Sequence, residues 1–501
     1  MFRRTALAGA AILAAAALAL TACSAGGSSA PTASGDPNAT VNIRLALEPT
    51  NLDIRQTAGV ALDQVLIDNV YQGLVSRTPD QKIVASLASA WTVSSDALTY
   101  TFTLRDGVTF DDGQALTPDD VVWSLTQHRD ESTWANSSTL SHVSNISASG
   151  NTITLTLSSP DSQLLWNLTG RAGIILKKGD TVDYKTKANG TGPFTLKSWN
   201  QGANITLARN DAYWGDKAKV AEVVFDIIPD NQAAISAAQS GEVDVITGFD
   251  ATLSSQVEKG GDFSVVKGSA TDKFVLAFNS TKAPLNDTRV REAIRLAIDH
   301  NAIIAAVGSG KPLYGPIPQP DPGYQDLSST ISHDPAKAKQ LLADAGVSNL
   351  TLTLTVPSFY GTTIPQLLTS NLADAGITLK VNSVDFTTWL NDVYTNKNYD
   401  LSLVDHAEPR DFGNTWANGS YYFTFNNPQV QALYQQAIAA TSDQQVDDLL
   451  AQAAKIVADD NAADWLYNWE SVVAVGKGIT GFPADNVNSR INLATLEKSN
   501  G

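Results

Sequence analysis

The densest run of ionisable side chains in this 501-residue chain is Asp405-His406-Ala407-Glu408-Pro409-Arg410-Asp411-Phe412. It follows an apolar stretch, Tyr399 to Val404, that reads as a strand, so the run is expected to form a loop at the strand's end, a common place for function. Acids in such a place suit a cationic ligand group, because a carboxylate facing an ammonium in a closed, dry cleft makes a bond stronger than a neutral one. The competing arrangement is an internally paired loop, with Arg410 neutralising Glu408 or Asp411. Four aromatics flank the run, Trp389, Trp416, Tyr421 and Tyr422. They are able to stack on a ligand and equally suited to half-exposed core edges. The candidate binding set is therefore Asp405, His406, Glu408, Arg410 and Asp411 with those four rings.

A second reactive residue stands alone. Cys23 is the only cysteine of the chain and closes the run Leu20-Thr21-Ala22-Cys23. Arg3 and Arg4 precede an Ala/Leu/Ile stretch from Ala6 to Leu20. That stretch is shorter than the roughly 20 apolar residues a spanning helix needs, so residues 1–22 read as a secretion signal. The tetrad resembles the lipobox of bacterial lipoproteins. That resemblance implies cleavage before Cys23 and lipidation of its thiol, with each buried CH₂ contributing about 0.8 kcal/mol to anchoring. Residues 23–40 are small and polar and read as a flexible tether with an r.m.s. reach of about 20–25 Å.

Other chemistries are excluded or unsupported. With Cys23 modified, no thiol is left for disulfides, thiolate nucleophiles or cysteine metal sites. Met1 is the only methionine, and His128, His142, His300, His333 and His406 lack metal-ligand spacing, so no metal and no cofactor is expected. Gly308-Ser309-Gly310-Lys311 lacks the first glycine of a phosphate loop, and Ser264-Val265-Val266-Lys267 lies in a strand-like run without the companion Lys-Thr-Gly. Paired carboxylates for glycoside hydrolysis stay open among 51 acids, with nothing to single out a pair. A net charge of −17 repels phosphate backbones and anionic lipid, which argues against nucleic acid and against membrane contact by anything but the lipid.

The length exceeds one compact domain, and 43% hydrophobic with 17% charged residues suffices for ordinary packed cores. Val41 to Leu47 alternates as a strand. Thr99 to Leu104, the Asp106-Gly107 turn and Asn151 to Ser158 predict a β-meander, and Thr117-Pro118-Asp119-Asp120 opens a helix bearing Val121, Val122 and Leu125. Further on the pattern becomes α/β: a strand Val223 to Ile228, a helix Asn231 to Gln239 ended by Gly241, and a short strand Val243 to Ile246. A helix capped by Asp334 stops at Gly346; the strand Leu350 to Val356, the helix Pro365 to Ala375 and the strand Thr378 to Val384 then form a βαβ-like unit. Two amphipathic helices follow, the first starting at Asn427-Pro428 and the second with Val446, Leu449, Leu450, Ala453, Ile456 and Val457 on its apolar face.

Several blocks, in order, resemble one family. The stretch from Asp68 to Leu125 is the longest; Gly190-Thr191-Gly192-Pro193-Phe194, Arg209-Asn210-Asp211-Ala212-Tyr213-Trp214-Gly215, Gly241-Glu242-Val243-Asp244, Asp287 to Ile303 and Asp334 to Lys339 follow. They are similar to extracellular solute-binding protein family 5, the dipeptide/oligopeptide/nickel group of ABC-importer binding proteins. The resemblance implies an α/β, two-lobed periplasmic-binding-protein type II fold with an extra subdomain. Lobe I would be residues 41–275, with the subdomain at about 80–190, completed by 478–501; lobe II would be 276–477, with crossovers near Lys273 to Asn279 and Val472 to Lys477. Trp91, Trp123, Trp199 and Trp214 would pack the fold.

The implied function is that of a monomeric, non-enzymatic binding lipoprotein on the extracytoplasmic face of the cell membrane. It would capture a peptide or related small solute and deliver it to ABC permease subunits with their ATPase. A sensing or chaperone lipoprotein of the same fold, or an exported hydrolase, is the alternative. Dipeptide-binding relatives have Gly-Asp-x-x-Asp-Pro-Asp-Asn-Phe at the acidic run, which places Asp405 and Glu408 on the acids that receive a peptide ammonium. They also carry a carboxylate-binding arginine after the strand matching Leu350–Val356. Here Ser358-Phe359-Tyr360-Gly361 stands instead, leaving Arg410 as the nearest replacement.

Overall fold

Two long strands, Phe263–Phe278 and Ala463–Gly476, run antiparallel through the middle of the main sheet and organise everything around them. The computed structural model describes residues 35–57 and 59–499; Cys23 and the proposed signal and most of the tether lie outside them. Among the described residues the main sheet has ten strands. In spatial order they are Thr378–Val384, Thr351–Pro357, Leu401–His406, the two long strands, Val245–Thr247, Thr40–Leu45, Glu222–Ile227, Asn204–Arg209 and Phe194–Asn200. The long pair carries different neighbours on its two halves. Val473–Val475 pairs with Val245–Thr247, whereas Lys273–Phe278 pairs with Leu401–His406. Register breaks between Ser269 and Lys273, at the junction of the halves. A break of this kind bends a strand and re-aims its side chains, and here it presents Asp272.

Each half of the sheet has its own core. Ile43, Leu45, Phe225 and Val245 bury one half together with Val65, Tyr71, Ile491 and Leu493. The other half is covered on both faces, as parallel pairing requires. Helices Thr288–Ala297, Pro335–Asp344 and Thr363–Asp374 pack on one side, and Pro428–Ile438 with Asp443–Asp459 on the other, around Trp416 and Trp465. A separate antiparallel sheet, Ala88–Val93, Thr99–Leu104, Thr152–Leu157 and Val143–Ser149, closes its own core with the helix Pro118–Asp130.

Local signals explain the element ends. Thr117 and Asp120 form a reciprocal capping box on the Pro118 helix, and Asp334 caps the Pro335 helix through the Lys337 amide at 2.9 Å. The Gly190–Phe194 block is a close approach of two backbones. A Cβ at Gly190 would lie 1.9 Å from the Val70 carbonyl oxygen, so only glycine fits. In the Asp287–Ile303 block, Arg291 and Arg295 are buried and donate to the carbonyls of Asp460, Asn461 and Ala458 at 2.6–3.0 Å. They fix the chain where it enters the second long strand.

One boundary differs from the sequence expectation in a way that matters. The strand expected at Tyr399 to Val404 runs from Leu401 to His406. The Tyr399 carbonyl is taken by the Asn279 side chain at 3.0 Å, so the ladder begins two residues later. Asp405 and His406 consequently stay in the sheet, opposite Phe274 and Lys273. They are not loop residues.

Candidate ligand-binding site

Because neighbours on a strand point to opposite faces, Asp405 and His406 have different surroundings. The Asp405 backbone N–H donates to the Tyr360 hydroxyl at 3.0 Å, and its Oδ1 is buried with no hydrogen-bond partner. Burial, and then the nearby Asp272 carboxylate, push the Asp405 carboxyl well above the usual range. Asp272 sits at the register break of the long strand, accepts a hydrogen bond from the Asn488 amide, and is raised to about 6 by burial. Glu408, exposed in the following loop, adds a third negative charge to this field. Tyr360, Phe274 and Tyr467 line up beside it, the last two stacked with centroids 4.7 Å apart. The result is an acid pair with aromatic flanks and an unsatisfied oxygen.

The cation that pairs with the loop is Lys273, from the long strand, and not Arg410. Lys273 Nζ lies 3.1 Å from Asp411 Oδ1 and donates to the carbonyls of His406 and Glu408 at 3.3 and 3.2 Å. Burial alone would lower this ammonium; Asp411 and then Asp321 outweigh it and hold Lys273 above its ordinary value. Arg410 neutralises neither Glu408 nor Asp411, which corrects the internally paired alternative. It adopts a left-handed backbone with φ +55° that turns its N–H onto Asp321 Oδ2 at 2.6 Å. Its guanidinium leaves the loop to stack on Trp166 at 4.0 Å and reach Gln163 Oε1 at 3.3 Å.

Four of the sequence-derived candidates lie in the core and do not face open space. His406 is buried, bonds the Tyr422 hydroxyl through Nε2 at 2.9 Å, and is driven down to about 3 by burial and then by Lys273, so it is a neutral packing residue. Trp416 is 1% exposed and packs on Phe423 and Trp465. Trp389 is buried with its indole N–H on Ser402 Oγ at 2.9 Å, and Tyr422 is buried beside it. Tyr421 is half-buried at the edge of the same cluster. Large rings satisfy the core between the strand and the last two helices, and that demand overrode their proximity to the acidic run. Other rings are exposed, among them Phe359 at 63%, Phe386 at 45% and Tyr394 at 46%. Phe386 stacks on Trp389 with centroids 5.6 Å apart and touches Phe359 at 5.7 Å. An i, i+3 pair of rings at Phe386 and Trp389 was the available signal in the sequence.

His406, Glu408 and Asp411 place one donor atom each within 4.8 Å of one another. The Lys273 ammonium on Asp411 opposes a cation there, so the donor set suits an internal ion pair better than a metal.

A mixed sheet split by a long strand pair, with a separate small sheet, is the architecture of the two-lobed periplasmic binding proteins. The structure matches the ABC transporter substrate-binding protein CtaP of Listeria monocytogenes with a TM-score of 0.83 at 21% identity, over 92% of this chain and all of that one. In sequence it is 28% identical over 448 residues to heme-binding protein A of Haemophilus influenzae, covering 79% of this chain and 81% of that protein. It is 26% identical over 455 residues to the glutathione-binding protein GsiB of Pectobacterium atrosepticum, covering 85% and 88%. Residues 82–432 match the middle region of the bacterial extracellular solute-binding proteins, family 5, and the chain belongs to that family. It is a solute-binding protein of the ABC-importer type and not an enzyme. Among the described residues no helix is long and apolar enough to cross a membrane.

Proposed function

We propose that this chain is the lipid-anchored substrate-binding component of an ABC importer, a monomer that takes a peptide or related small solute by its ammonium group. The observation that carries the reading is the Asp405 Oδ1 atom, buried beside Asp272 without a partner. An unpaired acid pair in such a place is costly, and a ligand cation placed between the two carboxylates supplies what the protein leaves out. Lys273 cannot serve, because Asp411 and the loop carbonyls already use it. A relative that binds glutathione supports a peptide-like solute. Closure would bring residues 41–275 and 478–501 against residues 276–477 about the register break, and lipidation at Cys23 would hold the protein near its permease and ATPase on the extracytoplasmic face.

Native mass spectrometry of protein purified without denaturation identifies the retained solute, and calorimetry then compares wild type with Asp405→Asn. Loss of the charge-assisted bond weakens binding about tenfold to a hundredfold while the melting transition stays intact. An unchanged affinity with an intact fold rejects Asp405 as a ligand contact.

A further inference from the structure

Trp166, on the short helical turn Leu164–Asn167 beside the small four-stranded sheet, carries two guanidinium groups on its indole. Arg77 stacks at 4.3 Å from the strand Val75–Arg77, which belongs to the same unit. Arg410 arrives from across a seam, out of the loop that also carries Glu408, and stacks at 4.0 Å. It donates to Gln163 Oε1 at 3.3 Å as well. On the same seam the Ser162 amide and hydroxyl donate to the carbonyls of Ile438 and Ala437, at 2.9 and 3.0 Å. These carbonyls end the helix Pro428–Ile438, so every contact joins the small-sheet unit to the second half of the main sheet.

The seam is local and polar. The two units keep separate apolar cores. Beside the seam their walls stand apart around a cavity of about 1040 Å³, with Trp91 and Leu165 on one wall and Tyr324, Asp443 and Asp447 on the other. A junction of this kind, with no shared core, is expected to open. Arg410 is the unusual member. Its φ of +55° is costly for any residue but glycine, and its N–H is spent on Asp321 Oδ2 at 2.6 Å. An arginine in a conformation that glycine would hold without strain points to a use for the side chain. Asp321, Asp443 and Asp447 favour its charge against burial, and its Nε is buried without a hydrogen-bond partner. Acids on its own side thus position the guanidinium, and the ring across the seam receives it.

We propose that Arg410 and Trp166 form a latch that holds the two lobes closed in the absence of solute. A guanidinium on an indole face is a contact strong enough to bias an equilibrium and weak enough to release. The latch gives Arg410 a part in closure in place of a contact to the solute. It rests on the two-lobed reading and on the proposed boundaries, which put Trp166 in lobe I and Arg410 in lobe II, and it is independent of what the solute is. Because Arg410 lies two residues beyond Glu408, releasing the latch frees the loop that covers the acid pair, and solute enters from that open state.

The test is single-molecule energy transfer on the full mature chain, carrying Cys23→Ala and stripped of solute by unfolding and refolding. Dyes sit on cysteines introduced at Ser95 and Lys455, both exposed and on opposite sides of the seam. The parent chain shows a predominant closed population. Arg410→Gly keeps the left-handed backbone and its bond to Asp321 but removes the latch, and lowers the closed-to-open ratio at least about fivefold. Trp166→Leu does the same from the other side, Trp166→Phe falls between, and the double variant adds nothing to either single one. Asp405→Asn, which alters the solute site and not the latch, leaves the ratio unchanged. A parent chain that is open without solute overturns the latch, as does an unchanged ratio in Arg410→Gly with a wild-type melting curve. Opening by Asp405→Asn to the same extent as by Arg410→Gly also overturns it. If Trp166→Leu fails to fold, Arg410→Gly decides. Since no solute is present, failure here leaves the ammonium reading standing, and failure of that reading leaves the latch standing.

Discussion

Lys273 Nζ and Asp411 Oδ1 meet at 3.1 Å with both side chains buried, and this pair ties the loop Ala407–Arg410 to the long strand Phe263–Phe278. The contact is structural: it fixes where Glu408 and Arg410 emerge, and it consumes the one ammonium that would otherwise satisfy the acids next to it.

Lys273→Met therefore leaves Asp411 as an uncompensated buried charge. Unfolding in urea should show a loss of about 3–5 kcal/mol. The double variant Lys273→Met, Asp411→Leu should recover most of it, because an apolar pair of similar volume avoids the desolvation cost. A single-variant loss below about 1 kcal/mol means that the pair does not hold the loop.

Asp272 gives a pH dependence of definite sign. Its folded-state value of about 6 lies above the ordinary aspartate value of about 3.9. Between those values the folded chain holds more protons than the unfolded one, so stability falls as pH rises from about 4 to about 6 and stays lost above. Two units correspond to at most about 3 kcal/mol, shared with Asp405, which titrates in the same field. Asp272→Asn keeps a carbonyl for Asn488 and removes the penalty. Ligand-free Asp272→Asn should be more stable than wild type at pH 7 and equal to it at pH 4 by thermal unfolding; a variant less stable at pH 7 contradicts the assignment.

Much of the fold was legible because its signals are local. The strand Thr378–Val384 and the helix starting at Pro335 fall where alternation, the Asp334 cap and Gly346 put them. The acidic run was legible as a cluster of ionisable residues, but its electrostatics were not. Lys273 and Asp272 reach it from a strand far away in the chain, and their tertiary pairing leaves no periodic trace. Trp416 and Tyr422 misled for a related reason: ring size and nearness to the acids look alike for a core residue and a ligand contact, and only packing against Trp465 and the last two helices separates them.

Cys23 lies outside the described residues, and the sequence alone motivates its test. Cys23→Ala should block lipidation and move the protein from the membrane pellet to the soluble extracytoplasmic fraction. Fractionation unchanged from wild type would reject the lipid anchor without touching the solute site.

The aromatic residues separate stability from recognition. Trp416→Phe removes part of a ring buried to 1% exposure, so it should lower the unfolding free energy by about 1–3 kcal/mol through a cavity and leave affinity for the retained solute within about twofold. Phe359→Ala does the opposite. At 63% exposure its ring contributes little to the core, and truncation should cost less than about 1 kcal/mol of stability. Phe359 adjoins Tyr360, whose hydroxyl accepts from Asp405, and it touches Phe386 across the same wall, so a solute seated on Asp405 would lie against it. Losing that surface should weaken binding by about fivefold or more, for roughly 1 kcal/mol of apolar contact. Melting curves and calorimetry on the same two variants give the answer. If Trp416→Phe changes affinity more than stability, the core assignment of the tryptophan fails. If Phe359→Ala binds as wild type does, the exposed rings belong to some other surface of the protein.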